Sequence, residues 1–186
     1  MEQITTNRLL LRPFTMRDVK AAFAILSDEK TNEFLPWFPA RTEKDAESFL
    51  KERFSEKRFA YAICRKETNV PFGYICISDD ESRDLGYGLR SDFWNRGYAT
   101  EAAAAVLQKA REAGFKYVTA THDRNNPQSG RVMQKAGMTY RYSYTEQWQP
   151  KDRSVVFRMY QINFDEGIFV YGRYREMYPH FIESDL

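Results

Sequence analysis

The sequence predicts a mixed α/β fold in which about six to seven strands form a central sheet flanked by helices. Three observations carry this prediction. Short apolar runs bounded by turn residues recur along the chain, as strands do. Between some of them lie segments whose apolar residues repeat at helical spacing behind capping residues. Near the middle, a strand, a Gly-containing loop, an alanine-rich helix and a second strand follow one another as a β–loop–α–β unit.

Composition narrows the class of protein before any motif is considered. The 186 residues are 42% hydrophobic and 29% charged, which suits one soluble globular domain over residues 1–186. A net charge of +2, without a block of Lys or Arg, argues against a nucleic-acid partner. No apolar run approaches a membrane span of about 20 residues, and the N-terminus lacks the apolar core of a signal peptide. We therefore expect a cytoplasmic protein without a membrane partner.

The two cysteines, Cys64 and Cys76, lie inside apolar, strand-like runs. Their number and spacing fit neither a disulfide framework nor a metal site. We expect two buried thiols and no bound metal.

The N-terminal part of the chain predicts a strand and two helices. Residues 6–12 form an apolar run that Pro13 ends. Thr15 with Asp18 three residues later is typical of a capped helix start. Thr42 opens a second helix with acidic residues in its first turn. A strand followed by a capped helix is the usual beginning of a mixed α/β fold.

The aromatic segment 31–39 lies between these helices and is held extended by two prolines. It contains Phe34 and Trp37. Two interpretations are open: the segment is a hydrophobic cap on the core, or it is one wall of a substrate pocket.

Three further strands follow. Residues 58–65 and 71–78 are apolar runs joined by a polar turn, which predicts a hairpin. Residues 84–90 form the next strand and contain Gly86 and Gly88. Two glycines in one strand indicate either a bulge or the close approach of another group.

The loop that ends in Gly97 opens a helix predicted over 98–113, and a strand follows at 115–121. The first N–H groups of such a helix have no partner inside it and attract anions. The small residues Gly97 and Ala99 let a ligand approach the backbone of this loop closely, and Arg96 adds a positive charge suited to phosphate. The segment therefore predicts an anion cradle.

The spacing of the residues around Gly97 matches neither the dinucleotide-binding pattern G-x-G-x-x-G nor the P-loop pattern G-x-x-x-x-G-K-[ST]. The string Arg96-Gly97-x-Ala99 resembles the acetyl-coenzyme A pyrophosphate loop of the GNAT N-acetyltransferase superfamily, Q/R-x-x-G-x-G/A, although Trp94 occupies the Q/R position. The longer string W-x-R-G-Y-A-T-E-A resembles the corresponding segment in one branch of the superfamily, the ribosomal-protein N-terminal alanine and serine acetyltransferases. A second segment, from Asn126 through Ser129 to K-A-G-M, resembles the N-x-x-S signature of the same superfamily.

The resemblance implies a mostly antiparallel GNAT-like fold, acetyl-CoA as cofactor and coenzyme A as product. It places Asn126 and Ser129 along the pantetheine arm, and it assigns main-chain N–H groups near Leu89 and Arg90 to the oxyanion of the tetrahedral intermediate. The pyrophosphate loop itself is contributed by Arg96, Gly97, Tyr98, Ala99 and Thr100.

Transfer to an amine also needs a base, for which three residues are candidates. Asp84 stands where related enzymes carry a carboxylate, and burial would bring its pKa toward neutrality. His122 has a suitable intrinsic pKa, but a lone His at a strand end is commonly structural. Glu101, in the first turn of the helix, fits a dipole partner at least as well as a catalyst.

A general acid for the leaving thiolate is harder to identify. Many relatives carry a Tyr where this chain has Met133. Ser129 and Tyr140 are the two candidate substitutes. A thiol pKa of about 8.5 lets the thiolate leave with modest help.

The sequence is thus interpreted as an acetyl-CoA-dependent N-acetyltransferase acting on a primary amine, either a protein N-terminus or a small amine or amino-acid-like molecule, through a ternary complex. Phe34, Trp37 and Tyr87 are the candidate acceptor-binding residues. The alternative is a catalytically idle acyl-CoA-binding module, which Met133 favours.

Residues 139–147 and 154–163 predict two closing strands, and 164–186 form a C-terminal extension expected to contain a helix. A homodimer is left open.

Overall fold

The structure, a computed structural model, describes residues 2–55 and 57–184. Within them, nine strands form two sheets that are covered by helices. This arrangement confirms the mixed α/β class and the mostly antiparallel pairing. Seven of these strands have four residues or more and correspond to the seven predicted from sequence. The division of the strands between two sheets is a feature that the sequence did not reveal.

The first sheet is an antiparallel meander with the order β1-β2-β3-β4-β5. These strands are β1 (Ile4–Thr5), β2 (Leu9–Arg12), β3 (Ala60–Arg65), β4 (Pro71–Ile77) and β5 (Leu85–Leu89). Gly88 of β5 stands opposite Tyr74, and Gly86 stands opposite Cys76. The β4–β5 register is regular, so the bulge interpretation of the two glycines is wrong. Close approach is the reason at Gly88, where an added Cβ would lie 2.8 Å from the Tyr74 ring.

The second sheet is also antiparallel and has the order β6-β8-β7-β9. Its strands are β6 (Tyr117–Asp123), β7 (Thr139–Trp148), β8 (Arg153–Asn163) and β9 (His180–Phe181). The last strand of the predicted fold, β8, inserts between β6 and β7. The C-terminal extension adds β9 at the edge.

The two sheets meet at one parallel bridge between Asp84 and Thr119. The Thr119 N–H also donates to the carbonyl of Arg83 at 3.3 Å. Among the described residues no further ladder joins β5 to β6, so the two strands part beyond this point. The opening between them is the feature around which the candidate site is built.

Helices cover both faces of the first sheet. The helices of the described residues are α1 (Val19–Leu26), α2 (Glu29–Asn32), α3 (Glu43–Arg53), α4 (Tyr98–Glu112), α5 (Pro127–Lys135) and α6 (Arg173–Met177). Of these, α6 packs on the second sheet. Helices α1 and α3 pack around Tyr74, whereas α4 and α5 pack on the opposite face. Ala102, Ala103 and Ala110 are fully buried, so their small side chains bring α4 close to the sheet.

The predicted helix boundaries have visible causes. Thr42 and Asp45 form a reciprocal capping box at the start of α3. Thr15 and Asp18 do the same at the turn that leads into α1. Gly114, with φ of +84°, ends α4 in the left-handed conformation. Within the described segments, none of the helices combines the length and the apolar character that crossing a bilayer would require.

Candidate functional site

A cavity of about 1230 Å³ occupies the opening between β5 and β6. One end is formed by the loop before α4 and by the start of α5. The other end is formed by the segment after α2, by α3 and by β4. The cavity therefore joins the predicted anion cradle to the predicted substrate wall, and strand β5 runs between the two ends.

The loop before α4 has the geometry of an anion cradle. Gly97 has φ of +76°, which only glycine adopts without strain. The first intrahelical bond runs from the Glu101 N–H to the Gly97 carbonyl at 3.0 Å. The N–H groups of Tyr98, Ala99 and Thr100 precede that bond and line the cavity. They can bind the phosphate oxygens of a cofactor at the positive end of a helix of 15 residues.

The Glu101 carboxylate binds the turn between β1 and β2, and Glu101 does not line the cavity. Its carboxylate accepts hydrogen bonds from the Thr6 hydroxyl at 2.6 Å and from the main-chain N–H of Arg8 at 2.9 Å. Its second oxygen accepts from Nε of Arg8 at 2.7 Å. These contacts favour the structural interpretation of Glu101.

The cavity does not receive every predicted cofactor residue. Leu89 lines it together with residues 97–100, but the guanidinium groups of Arg90 and Arg96 lie outside its lining. Arg90 pairs with Asp92 at 2.6 Å, and its N–H donates to the Phe72 carbonyl at 2.9 Å. That N–H is therefore not available to an oxyanion. Since N–H groups alternate along a strand, the Leu89 N–H points into the opening.

Asp84, immediately before β5, shares one face of the strand with two glycines, which have no side chain. Asp84, Gly86 and Gly88 alternate along the chain, lie on the same face and line the cavity. An added Cβ on Gly86 would have Cys76 Sγ at 3.7 Å as its nearest neighbour, which is ordinary contact. The absence of side chains here leaves room for a ligand beside Asp84.

Asp84 has an environment suited to acid–base chemistry. Burial, and then the nearby Asp80 carboxylate, raise the pKa of Asp84 to about 7. The Thr119 hydroxyl at 3.4 Å from Oδ1 and the main-chain N–H of Thr121 act in the opposite direction. The carboxyl group is thus divided between its protonated and ionised forms near neutral pH, so it can accept a proton and release it again.

Tyr87 and Ser129 meet across the opening. The Tyr87 hydroxyl donates to the Ser129 carbonyl at 2.8 Å and lies 2.8 Å from the Ser129 hydroxyl. Asn126 caps α5 by accepting from the Ser129 N–H at 3.3 Å. These three predicted residues are therefore brought together beside the cavity, with one hydroxyl pair at the start of α5.

His122 reaches the cavity lining but is 4% exposed and packs under α5. Its Nδ1 lies 2.8 Å from the Asp123 carbonyl, and because a carbonyl only accepts, Nδ1 carries the proton. Burial lowers the pKa of His122. Its Nε2 has no partner among the described residues, and an added Cβ on Gly130 would lie 2.6 Å from it. The ring is therefore neutral, and helix α5 shields it.

Tyr140 is placed away from the cavity, which corrects the expectation that it supplies a proton there. Its hydroxyl accepts from the Glu183 N–H at 3.0 Å and contacts the Ser143 hydroxyl at 3.0 Å. The physical reason is register: Tyr140 pairs with Tyr160 in the second sheet, and its side chain meets the C-terminal extension.

The segment after α2 forms the far wall of the cavity. Phe34 and Trp37 line it, and the Trp37 ring packs edge-on against Phe49 at 4.9 Å. The Trp37 Nε1 donates to Asn32 at 3.0 Å. Lys151, in the turn between β7 and β8, donates to the carbonyls of Asn32 and Glu33 at 2.6 and 3.1 Å. The second sheet thereby holds this segment in place.

Sequence reasoning missed two cavity residues on β4, Tyr74 and Cys76. The Tyr74 hydroxyl is buried without a hydrogen-bond partner among residues 2–55 and 57–184. Burial raises the pKa of Cys76 to about 11, so it is a neutral thiol. The alternation of β4 opposite the two glycines is the signal that could have found both. No group of three or more His, Cys, Asp or Glu side chains in the described segments is arranged to hold a metal ion.

Comparison with known proteins identifies the family. The family model described as Acetyltransferase (GNAT) domain matches residues 8–139. A Bacillus subtilis (strain 168) protein, the uncharacterized N-acetyltransferase YnaD, is 30% identical over 139 residues, which cover 73% of this chain and 81% of YnaD. The chain therefore belongs to the GNAT family and is an acetyltransferase.

Solved structures share the fold. The GNAT-family acetyltransferase from Bacillus anthracis superposes with a TM-score of 0.79 at 26% identity and covers 89% of this chain and 100% of its own. The microcin C7 self-immunity acetyltransferase MccE, solved with acetyl-CoA and AMP, has a TM-score of 0.74 at 18% identity over 85% and 93% of the two chains. The acetyltransferase from Salmonella typhimurium that modifies the N-terminal serine of the 50S ribosomal subunit protein L7/L12 has a TM-score of 0.71 at 18% identity over 88% of this chain and 100% of its own.

Proposed function

We propose that this acetyltransferase transfers the acetyl group of acetyl-CoA directly to a primary amine within a ternary complex. The observation that carries the proposal is the position of Asp84. A carboxyl group whose pKa is raised to about 7 stands immediately before β5 and lines the same cavity as the first residues of α4. The donor and the acceptor can therefore occupy opposite ends of one cavity, with the base between them.

The cofactor end supports acetyl-CoA. The residues at the start of α4 present N–H groups and the positive end of the helix dipole to a pyrophosphate. The opening between β5 and β6 provides a route for the pantetheine arm, and Asn126 and Ser129 line that route. Holding the acetyl group beside the acceptor raises its effective concentration and so lowers the barrier to transfer.

Asp84 is proposed as the general base. An amine acceptor arrives largely as an ammonium ion and must lose a proton before it attacks the thioester carbon. The ionised Asp84 carboxylate takes that proton, directly or through one water molecule. The ammonium also balances the carboxylate charge as the two approach, so ionised Asp84 favours a cationic acceptor.

The tetrahedral intermediate and the leaving thiolate need separate partners. The Leu89 N–H, which points into the opening, is the proposed donor to the oxyanion. The Ser129 hydroxyl is the proposed proton source for the thiolate, and Tyr87 holds that hydroxyl at 2.8 Å. Met133 provides no proton here, because its thioether sulfur carries none.

The acceptor is proposed to be a protein N-terminus or a small amine or amino-acid-like molecule. The Salmonella typhimurium acetyltransferase that modifies the N-terminal serine of ribosomal protein L7/L12 shares the fold and supports the first choice. Trp37 lines the acceptor end of the cavity, and Gly86 and Gly88 place no side chain in it. This space suits an extended, narrow acceptor whose amine enters first. The idle acyl-CoA-binding module is the second candidate, because Met133 replaces the tyrosine that many relatives carry.

The test has two stages. Thermal unfolding is measured with acetyl-CoA, coenzyme A, NAD and ATP at equal concentrations. A ligand at about 100 times its Kd adds roughly 2.7 kcal/mol, so the first two should raise Tm by several degrees and the others should not. Release of free thiol from acetyl-CoA is then measured with peptides and small amines. Amine-stimulated release supports the enzyme, whereas cofactor binding without it supports the idle module. No shift with acetyl-CoA or coenzyme A would remove the proposal.

A further inference from the structure

The carbonyl of Leu89, the last residue of β5, is bound by two side chains. It accepts hydrogen bonds from the Thr31 hydroxyl at 2.7 Å and from Nε1 of Trp94 at 2.8 Å. Thr31 belongs to α2 and Trp94 to the loop before α4, so the two donors come from segments on either side of β5 in the chain. All three residues line the cavity. Neither contact has a part in the chemistry proposed above.

The two contacts take the place of a neighbouring strand. The Arg90 N–H donates to the Phe72 carbonyl on β4 at 2.9 Å. Because these groups alternate along a strand, the N–H and the C=O of Leu89 both face the opening on the other side of β5. In a continuous sheet the C=O would accept from β6, but β5 and β6 are bridged only at Asp84 and Thr119 among the described residues. A buried carbonyl without a donor costs free energy, and the two side chains supply the donors.

The Thr31 hydroxyl is presented from a fixed position. Asn32, which is 1% exposed, ties α2 to the end of α1, because its Nδ2 donates to the carbonyls of Leu26 and Asp28 at 2.9 and 2.8 Å. The Asp28 carboxylate accepts from the Thr31 N–H at 3.2 Å with one oxygen and from the Ser91 N–H at 2.7 Å with the other. Helix α2 therefore binds the chain on both sides of Arg90, at Leu89 and at Ser91.

The second donor, Trp94, explains a departure of this sequence from the loop pattern. Trp94 stands at the Q/R position of Q/R-x-x-G-x-G/A. Its indole N–H is used by the Leu89 carbonyl, and its ring packs against the core of the first sheet. The side chain at this position therefore binds the protein's own backbone at the end of β5.

We infer that Thr31 and Trp94 are positioning residues, which bind the Leu89 carbonyl so that the end of β5 stays apart from β6 and the Leu89 N–H is directed at the oxyanion. The inference rests on the proposed role of that N–H as the oxyanion donor. The two side chains act on the reaction through the main chain of Leu89. An N–H donor stabilises the charge that develops on the thioester oxygen only if its position is fixed beforehand.

The two donors overlap in what they do. A carbonyl oxygen has two lone pairs, and one hydrogen bond is enough to avoid the full cost of an unpaired buried group. Loss of either donor should therefore be tolerated, whereas loss of both should release the end of β5. This non-additive effect distinguishes a shared role at Leu89 from two unrelated contacts.

The test uses substitutions in the full chain. Thr31→Val removes the hydroxyl and keeps the shape of the side chain, and Trp94→Phe removes the indole N–H and keeps an aromatic ring. Thr31→Ser is the conservative variant, because it keeps the hydroxyl. Ser27→Ala is the matched control: the Ser27 hydroxyl also donates to a main-chain carbonyl, that of Phe23, at 2.7 Å, but Ser27 lies outside the cavity lining.

We expect kcat for acetylation of glycinamide to fall by less than about threefold in each single variant and by about 10- to 100-fold in Thr31→Val/Trp94→Phe. The Kd for acetyl-CoA, measured by calorimetry, should stay within about threefold, because the N–H groups at the start of α4 are unchanged. Thr31→Ser/Trp94→Phe should return kcat to within about threefold of the natural protein, and Ser27→Ala should not lower it. Thermal unfolding checks that each variant is folded.

A fall of less than about tenfold in the double variant would overturn the inference. A rise in the Kd for acetyl-CoA as large as the fall in kcat would also overturn it, because it would mean a general disruption of the cofactor end. If the double variant does not fold, the ¹³C chemical shift of the Leu89 carbonyl is compared in the single variants by NMR. It should move in Thr31→Val and in Trp94→Phe but not in Ser27→Ala, and an unchanged shift in both would contradict the inference.

A second acceptor separates this inference from the proposed base. Hydroxylamine is largely unprotonated at neutral pH, so it does not have to lose a proton before it attacks the thioester. Thr31→Val/Trp94→Phe should lower kcat equally for glycinamide and hydroxylamine, whereas Asp84→Asn should lower it mainly for glycinamide. Equal rates in Asp84→Asn and the natural protein would count against the base alone. A loss confined to glycinamide in the double variant would count against Thr31 and Trp94.

Discussion

The two ends of the cavity are built in different ways. The cofactor end is made by one continuous segment, the loop and first turn of α4, and it presents main-chain N–H groups. The acceptor end is made by side chains from separate elements, with Trp37 after α2, Tyr74 on β4 and Asp84 before β5. Backbone shape therefore matters most at the first end, and side-chain identity matters most at the second.

This contrast indicates where each end is vulnerable. At the acceptor end, replacement of one side chain should change the chemistry while the cofactor still binds. At the cofactor end, a change of backbone conformation should weaken binding while the acid–base groups stay in place. Variants at the two ends should therefore affect different measurements.

The largest effect is expected at Asp84. Asp84→Asn keeps the shape of the side chain but removes the base, so the rate of amine acetylation should fall by about 10² to 10⁴. The Kd for acetyl-CoA, measured by calorimetry, should stay the same. The control is Asp79→Asn, since Asp79 also lines the cavity but forms an exposed pair with Lys57 at 3.2 Å. A rate in Asp84→Asn equal to that of the control would mean that the base is another group.

The pH dependence follows from the same carboxyl group. Its pKa is raised from 3.8 to about 7 in the folded protein, so the protonated form is the one that folding favours. Its contribution to the free energy of unfolding is fully present below about pH 4 and is lost as pH rises through about 7. Activity should change in the opposite direction and rise through about pH 7 as the base ionises. Urea unfolding and initial rates between about pH 4 and about pH 9 measure both trends.

Asp84→Asn serves as the reference for that pair of trends. Because the amide does not ionise, the variant should gain stability over the natural protein above about pH 7 and show no such gain below about pH 4. A stability difference that is the same at every pH would contradict a raised pKa of Asp84.

The two glycines of β5 should affect different properties: Gly88 the stability of the fold, and Gly86 the binding of the acceptor. Gly88→Ala should cost about 1 to 3 kcal/mol in the free energy of unfolding, because its Cβ would lie 2.8 Å from the buried Tyr74 ring. Gly86→Ala has Cys76 Sγ at 3.7 Å as its nearest neighbour, so its stability should change by less than about 0.5 kcal/mol. Its methyl group enters the cavity, and we expect a higher KM for the amine. Equal stability losses in the two variants would show that the β4–β5 contact is not as described.

Gly97 tests the cofactor end. Gly97→Ala places a side chain at φ of +76°, which costs about 1 to 2 kcal/mol or shifts the loop. We expect the Kd for acetyl-CoA to rise about tenfold, equivalent to about 1.4 kcal/mol. Gly114→Ala is the control at the other end of α4, with φ of +84° and no atom within 4 Å of the added Cβ. It should lose similar stability but bind acetyl-CoA normally.

The smallest effect is expected at Tyr140. Tyr140→Phe removes the hydroxyl that contacts Glu183 and Ser143, which should cost about 1 kcal/mol in thermal unfolding. The acetylation rate should not change, because the hydroxyl lies outside the cavity lining. A large loss of rate would restore Tyr140 as a candidate proton donor.

The same contrast explains what the sequence could predict. The start of α4 can be identified from adjacent residues, because Gly97 and the helix after it are a local feature. Asp84 can be named as a candidate, but its partner in the second sheet, Thr119, lies 35 residues further along the chain. The position of Tyr140 outside the cavity lining could not be predicted, because a strand pattern does not show which face of a sheet meets the extension. Sheet order and register decide these contacts, and neither can be deduced from one strand alone.

The Lys151 contact has a mechanical consequence. The two sheets are joined at the Asp84–Thr119 bridge, and Lys151 ties the second sheet to the segment after α2 at a second place. Because the two connections are separated, the second sheet cannot rotate away from the first about either of them. The walls of the cavity are therefore held at a fixed spacing, and a long flexible ligand has to enter between β5 and β6 as they stand, beside the Tyr87–Ser129 hydroxyl pair.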